Sequence, residues 1–321
     1  MRNILVTGCA GFIGYHTSSR LLKKGKSVIG IDIIEKKKKD SVNQIRLEKL
    51  KSFKNFSYYK ININNKIKIF NTIKNKNIYI IIHLAAKAGV RQSYNFPERY
   101  FKNNIVGFFN LIEAAKQNNI SHFIYASSSS VYGEQKDIKF KENLNTDKPI
   151  SFYAATKKIN EVIAYNYSVS YNLPTTGLRF FTVYGPFGRE DMSYFKFTNS
   201  IINNKKVFLF NKGNNLRDYT YIDDVVKSIL KIYTKPSNKK IPFNVFNIGR
   251  GKRISIIKFL KIIENILNKK AIIIYEKAFT GDVKNTMAKI NFLNNHINYQ
   301  PNTDVTIGLK KYIKWYKTYY K

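Results

Sequence analysis

Cysteine is nearly absent from these 321 residues: Cys9 stands alone, so no intramolecular disulfide can form, as suits a reducing compartment. No apolar stretch approaches the length that crosses a bilayer. The chain enters a strand-like run within three residues, without a basic-then-apolar leader, so a cytoplasmic protein with no membrane partner is expected. Histidine is rare as well, and His16, His83, His122 and His296 show no ligand spacing with one another or with Cys9, which sets metal catalysis aside. Acidic residues are scarce, 20 Asp and Glu against 56 Lys and Arg, leaving a formal charge of +36.

An excess of that size attracts polyanions without regard to their sequence. Lysine supplies 46 of the 56 cations, however, and is dispersed among Asn, Ile, Tyr and Phe, the residues that A- and T-rich codons specify. Compositional bias accounts for this without selection for a partner, and the densest run, Lys36 to Lys39, reads as a solvated loop. No specific nucleic-acid partner is expected.

What is present is rhythm. Residues 3–7, 27–32, 79–84, 122–126 and 175–181 are nearly all apolar, as strands buried on both faces of a parallel sheet should be, and 12–24, 100–118 and 153–171 have helical period. This alternation predicts a doubly wound parallel α/β sheet over residues 1–180. After residue 185 the rhythm becomes irregular, with helices near 223–234, 254–268 and 304–319. Residues 181–321 are expected to form mainly a smaller C-terminal substrate-binding domain, some of whose segments return to the first.

Residues 4–14 read ILVTGCAGFIG: a strand, then Gly8, Gly11 and Gly14 at intervals of three, then a helix beginning at Phe12 and Ile13. Such glycines permit a tight turn and close approach of the backbone to a pyrophosphate, which the N–H groups of the helix N-terminus receive. Asp32, eighteen residues past Gly14 and at the end of the next strand, is placed to accept hydrogen bonds from an adenosine ribose and to repel a 2′-phosphate. The pattern predicts a Rossmann-type domain that binds NAD.

Composition alone yields about three Tyr-x-x-x-Lys matches, and two occur, Tyr132/Lys136 and Tyr153/Lys157. The second gains meaning from its surroundings: HLAA at 83–86, Asn104, the run Ser127 to Ser130, and a spacing of 25 residues from Ser128 to Tyr153. With these residues the chain resembles the extended short-chain dehydrogenase/reductase family and its nucleotide-sugar epimerases. AAKAGVRQS, YASSSSVYG, SFYAATKK, GLRFFTVYGPFGRED and RDYTYIDD look most like the UDP-glucuronate 4-epimerases, over nearly the whole chain.

The resemblance implies Ser128, Tyr153 and Lys157 as the catalytic set, with Tyr132/Lys136 on a loop as the chance match. Cofactor contacts would come from the glycine loop with Phe12 and Ile13, from Asp32, Asn62 and Ile63, from Leu84, Ala85 and Ala86, and from Asn104, Tyr153 and Lys157. Substrate contacts would come from Arg91, Ser128, Ser129, Tyr153, Thr182, Arg189, Arg217 and Asp282.

The chemistry can be argued from the residues. A free phenol at about 10 is too weakly acidic to act as a base at neutral pH, but an ammonium and a cationic nicotinamide nearby would favour the phenolate. Tyr153 would then take the C4 hydroxyl proton of a sugar while Ser128 orients that hydroxyl. Oxidising C4 of a uronic acid makes a β-keto acid that can lose CO2, so a guanidinium such as Arg189 would have to hold the carboxylate out of line. Asp223 and Asp224 read as helix N-terminal caps.

Relatives that eliminate water usually carry Asp-Glu near Ser129 and Ser130, and UDP-galactose epimerases usually carry Asn at Thr182. Departures from the pattern are Asn62 for a usual Asp, Lys87 for a common Gln, and Phe279-Thr280 for a usual Gln-Pro. The expected activity is NAD-dependent conversion of UDP-glucuronate to UDP-galacturonate by a homodimer paired through 100–118 and 153–171. The alternatives are an epimerase of another UDP-hexose, a UDP-glucuronate decarboxylase, and a basic nucleic-acid-binding protein on a Rossmann scaffold.

Overall fold

The computed structural model describes residues 2–34, 41–135, 139–277 and 285–320. Strands β1 (Asn3–Thr7), β2 (Val28–Asp32), β3 (Phe56–Lys60), β4 (Ile78–His83), β5 (His122–Ser128) and β6 (Thr175–Phe180) pair in parallel in the order β6-β5-β4-β1-β2-β3. Helices α1 (Phe12–Lys23), α2 (Val42–Lys51), α3 (Lys66–Asn75), α4 (Val90–Asn95), α5 (Pro97–Tyr100), α6 (Gly107–Gln117) and α7 (Phe152–Tyr171) connect them. Alternate strand residues feed two cores. Ile4, Val6, Ile80, Ile82 and Ile124 face one layer, and Leu5, Ile29, Ile31, Ile81 and Phe123 the other, which is why these strands are apolar throughout.

Two strands of this sheet were not anticipated. β3 lies at the edge, with partly exposed residues in the sequence FSYYK, and so lacks the continuous apolar signature. At the opposite edge the seventh strand comes from the C-terminal half, as described below. β5 also runs two residues further than its apolar segment, because Ser127 and Ser128 stay in the ladder opposite Arg179 and Phe180.

The C-terminal half contributes β7 (Thr182–Tyr184), β8 (Lys206–Phe210), β9 (Leu216–Arg217), β10 (Tyr219–Tyr221), β11 (Phe243–Ile248), β12 (Ile254–Ser255) and β13 (Ile272–Glu276). Its helices are α8 (Ser193–Ile202), α9 (Ile222–Ile232), α10 (Ile256–Leu267), α11 (Asn291–Ile297) and α12 (Val305–Tyr319). β11 joins the large sheet beside β6, and α9 packs on α1, so this half is partly built into the first. The remaining pairs, β7 with β10, β9 with β12 and β8 with β13, form small sheets beyond the carboxyl ends of the parallel strands.

Asp223 and Asp224 both lie in the first turn of α9, but its N-cap is Tyr221 with no side-chain cap bond, so neither caps the helix, and Asp224 is used elsewhere. Its buried carboxylate accepts from the Tyr299 hydroxyl at 2.7 Å and from the amides of Asn302 and Thr303, fastening a distant loop to α9. The Tyr132 ring is buried rather than on an open loop, its hydroxyl 2.6 Å from Asn247 Oδ1, and its partner in that spacing, Lys136, lies outside the described residues. Among the described residues no helix is long and apolar enough to cross a membrane.

Candidate active site

A cleft of about 780 Å³ opens at the carboxyl ends of the sheet strands, where an open α/β sheet binds its ligands. Its floor is the glycine loop. Gly8 has φ +70, its N–H bonds the Ile31 carbonyl at 2.8 Å, and a Cβ there would lie 2.7 Å from the Ala85 backbone nitrogen. A Cβ on Gly14 would run into the Gly8 carbonyl, so the turn and the helix it feeds close only with glycine at both places. Gly11 caps α1 with no side-chain acceptor, and the first turn carries no acid, leaving the helix N-terminus open to an anion. This cradle fits the pyrophosphate of a dinucleotide.

Asp32 ends β2 beside that loop, its Oδ2 accepting from the Ala10 amide at 2.8 Å and its Oδ1 from Ile33 at 2.7 Å. Burial raises its pKa, and these amides pull it back. The carboxylate therefore braces the glycine loop as well as standing where an adenosine ribose is expected.

α7 starts at Ser151, whose hydroxyl accepts from the Ala154 amide at 3.1 Å, and ends at left-handed Asn172. Within it Tyr153 and Lys157 are one turn apart and both face the cleft, together with Ser128 and Ser129 from the end of β5. Ser128 faces Tyr153 closely enough to draw its pKa down, and its Oγ accepts from the Ser130 amide at 3.2 Å. Burial pushes the Tyr153 phenol above its ordinary range, and the groups that oppose this are Ser128 and Arg189. Lys157, assigned that task from the sequence, instead spends its ammonium on the Ala126 carbonyl at 2.9 Å, and burial lowers its pKa to about 8.

Leu84, Ala86, Arg91, Thr182, Arg189 and Arg217 line the same cleft. Arg91 stacks over the Phe210 ring at 4.2 Å. Thr182 is fixed by its amide on the Asp218 carbonyl. Arg189 binds Asp191 through two bonds, Nε to Oδ1 at 3.0 Å and Nη2 to Oδ2 at 2.6 Å.

Other expected residues sit elsewhere. Ala85 turns its amide to the Thr7 hydroxyl at 3.3 Å, behind the cleft wall. Asn62 is exposed and accepts from the Asn64 amide, while Ile63 is buried with its side chain against Gly107. Asn104 lies in a π-helical turn, Phe101–Val106, where the sequence indicated unbroken α-helix. Its amide group accepts from the Lys87 N–H and donates to the Lys87 carbonyl and to Thr156 Oγ1, clamping the strand-end loop to α7. These bonds give Asn104 a positioning role between the loop and the helix. Asp282 and the Phe279-Thr280 departure lie outside the described residues.

Two residues escaped the sequence reading. Asp218 is fully buried, accepts from the amides of Arg250, Gly251 and Ala288, and is raised by burial to about 6. It holds the strand of Arg217 against the 249–251 turn. Arg46 is a buried cation in the cleft wall, and nothing in the surrounding VNQIRLEKLK separates it from the surface lysines.

Comparison with known proteins agrees with this geometry. The family model described as "NAD dependent epimerase/dehydratase family" matches residues 4–249. The chain is 42% identical to "Protein CapI" of Staphylococcus aureus, over 99% of each chain. It is 40% identical to a UDP-glucuronate 4-epimerase of Thermodesulfobacterium geofontis, over 98% of this chain and 95% of that one. A crystal structure of UDP-glucuronic acid 4-epimerase from Bacillus cereus, in complex with UDP-glucuronic acid and NAD, superposes with a TM-score of 0.91 at 32% identity, covering 98% and 99% of the two chains. These relatives, the dinucleotide cradle and the Ser128-Tyr153-Lys157 cluster set aside the nucleic-acid reading: the chain belongs to the NAD dependent epimerase/dehydratase family, as an NAD-dependent UDP-sugar 4-epimerase.

Proposed function

We propose that the chain interconverts UDP-glucuronate and UDP-galacturonate at C4. The observation that carries this reading is that Arg189 shares one cleft with Tyr153 and Ser128 and already holds a carboxylate in a bidentate grip. Gly8, Gly11 and Gly14 with Asp32 would hold NAD, which when bound accepts the electron pair from C4 and returns it to either face. Ser128 orients the C4 hydroxyl, and Tyr153 removes its proton and later gives one back. Ser128 and Arg189 draw the phenol toward a workable base against its burial, and Lys157, one turn along and held on the Ala126 carbonyl, faces the same cleft. Thr182 and Arg189 fix the uronate carboxylate away from the plane in which it would leave as CO2. Arg91 and Arg217 face the anionic diphosphate, and Ser129 the sugar.

The test is incubation of the purified protein with UDP-glucuronate and product identification by NMR. Galacturonate is expected. A pentose with CO2 would make it a decarboxylase, and turnover of a neutral UDP-hexose alone would remove the uronate assignment.

The same reading includes a homodimer and a cytoplasmic location. α6 and α7 leave Phe109, Ile159, Val162, Tyr165 and Val169 exposed on neighbouring helices, an apolar face that a second copy would cover. Light scattering at micromolar concentration should give twice the mass of one chain, and Val162→Lys should shift it toward one.

A further inference from the structure

We infer that Arg46 is a positioning residue that couples the glycine loop to the segment carrying Arg189. An arginine has five N–H donors, and all five of this one are matched. Nη1 donates to the Ala10 carbonyl at 3.0 Å and to Asn43 Oδ1 at 2.6 Å. Nε donates to the Phe187 carbonyl at 3.1 Å, and Nη2 to the carbonyls of Phe187 at 2.6 Å and Gly188 at 3.0 Å. The residue is only 2% exposed.

The connection is continuous in both directions. Ala10 is held at both ends of its backbone, its amide on Asp32 and its carbonyl on Arg46. Beyond Arg46, Phe187 takes φ +55, a left-handed conformation unusual for an aromatic residue, and its carbonyl receives two of the five bonds. His16 Nε2 binds the Pro186 carbonyl at 2.9 Å, and the Arg189 amide donates to the Tyr194 hydroxyl at 2.9 Å. The backbone leading into Arg189 is thus held from α1, α2 and α8, with Arg46 as the link that also touches the dinucleotide loop.

A rigid guanidinium fork transmits a displacement of one carbonyl to the others, whereas a lysine could keep the charge but reach only part of the set. Burial lowers the Arg46 pKa to about 10, which leaves it charged at neutral pH. A buried cation matched by carbonyl dipoles is costly, and it stands where the cofactor side of the cleft meets the substrate side.

The test is hydrogen exchange followed by mass spectrometry on the full-length protein, stripped of cofactor and then titrated with NAD. In the wild type, NAD should slow exchange both in peptides covering 8–14 and in peptides covering 186–192. In Arg46→Lys the slowing at 8–14 should persist, while that at 186–192 falls by about threefold or more. Equal slowing of both segments in the variant would overturn the coupling. Loss of slowing at 8–14 as well would make Arg46 a direct ligand or a former of the loop, which also overturns it. If Arg46→Lys does not fold, Asn43→Ala removes one of the five bonds and should give the same pattern more weakly, and an unchanged pattern there refutes the proposal. None of these outcomes depends on which UDP-sugar is turned over.

Discussion

Replacing Asp191 with Asn should tighten binding of a UDP-uronate and leave a neutral UDP-hexose unaffected. Asp191 occupies the Nε–Nη2 edge of the Arg189 fork, so a substrate carboxylate that takes the same edge must displace it. The Arg189 and Asp191 side chains are 33% and 48% exposed. Solvent therefore screens the pair, and its worth is about 0.2–1 kcal/mol, not the value of a buried bridge. Burial opposes the Arg189 charge, and the bonds to Asp191 more than offset it, which agrees with a pair of modest net strength. Removing the competing charge lowers the apparent KM for UDP-glucuronate by a factor of about 1.4 to 5. The assay is steady-state epimerisation of UDP-glucuronate alongside competitive inhibition by UDP-glucose, in the wild type and in Asp191→Asn. A higher KM for the uronate, or equal changes for both sugars, would refute the reasoning, because Asp191 would then be shaping the site instead of holding its place.

Tyr153→Phe removes one oxygen; kcat should fall by about 100-fold or more while KM moves within about tenfold, since general-base work is lost but only one neutral hydrogen bond goes with it. Retention of a tenth of the wild-type rate would exclude Tyr153 as the base. Lys157 titrates near 8 in the fold against 10.5 for the free group. Its depressed folded pKa contributes stability that is complete above 10.5 and is lost as pH falls through 8. The cofactor-free Lys157→Met variant should therefore lose about 2.5 kcal/mol relative to the wild type between pH 7 and pH 10, and a pH-independent difference in denaturant midpoints would contradict this. Behind the site, Glu161 receives Arg179 through Nε at 2.8 Å and Nη2 at 2.7 Å and Ser127 at 2.6 Å, with both ionic side chains about 5% exposed. Glu161→Gln should cost about 3–5 kcal/mol by stranding the buried guanidinium, visible as a lowered melting temperature; a change below about 1 kcal/mol would mean the pair is not desolvated.

Residues whose role depends on near neighbours in the chain were legible before any coordinates. The glycine spacing declares a strand, a tight turn and a helix because backbone geometry decides all three locally, and four-residue spacing on a helix places Tyr153 beside Lys157 whatever the rest of the fold does. Doubly apolar strands announced a parallel sheet for the same reason: the period of a strand is written in its own residues. β3 was not legible because an edge strand has no need of two apolar faces, and β11 because its place in the sheet is fixed by pairing with β6, far away in sequence.

The tertiary structure alone decided the rest. The π-helical turn sets the Asn104 amide against Lys87 and Thr156, partners that no local spacing names. Asp224 looked like a cap until a loop 75 residues on supplied its donors. Arg46 looked like one more surface cation in a chain full of them. What separates it is five bonds to four acceptors, three of them the carbonyls of Ala10, Phe187 and Gly188, up to 142 positions away. Local sequence determines which conformations a segment prefers, but the partner of a buried charge or amide is chosen by packing between distant segments, and no spacing rule encodes it.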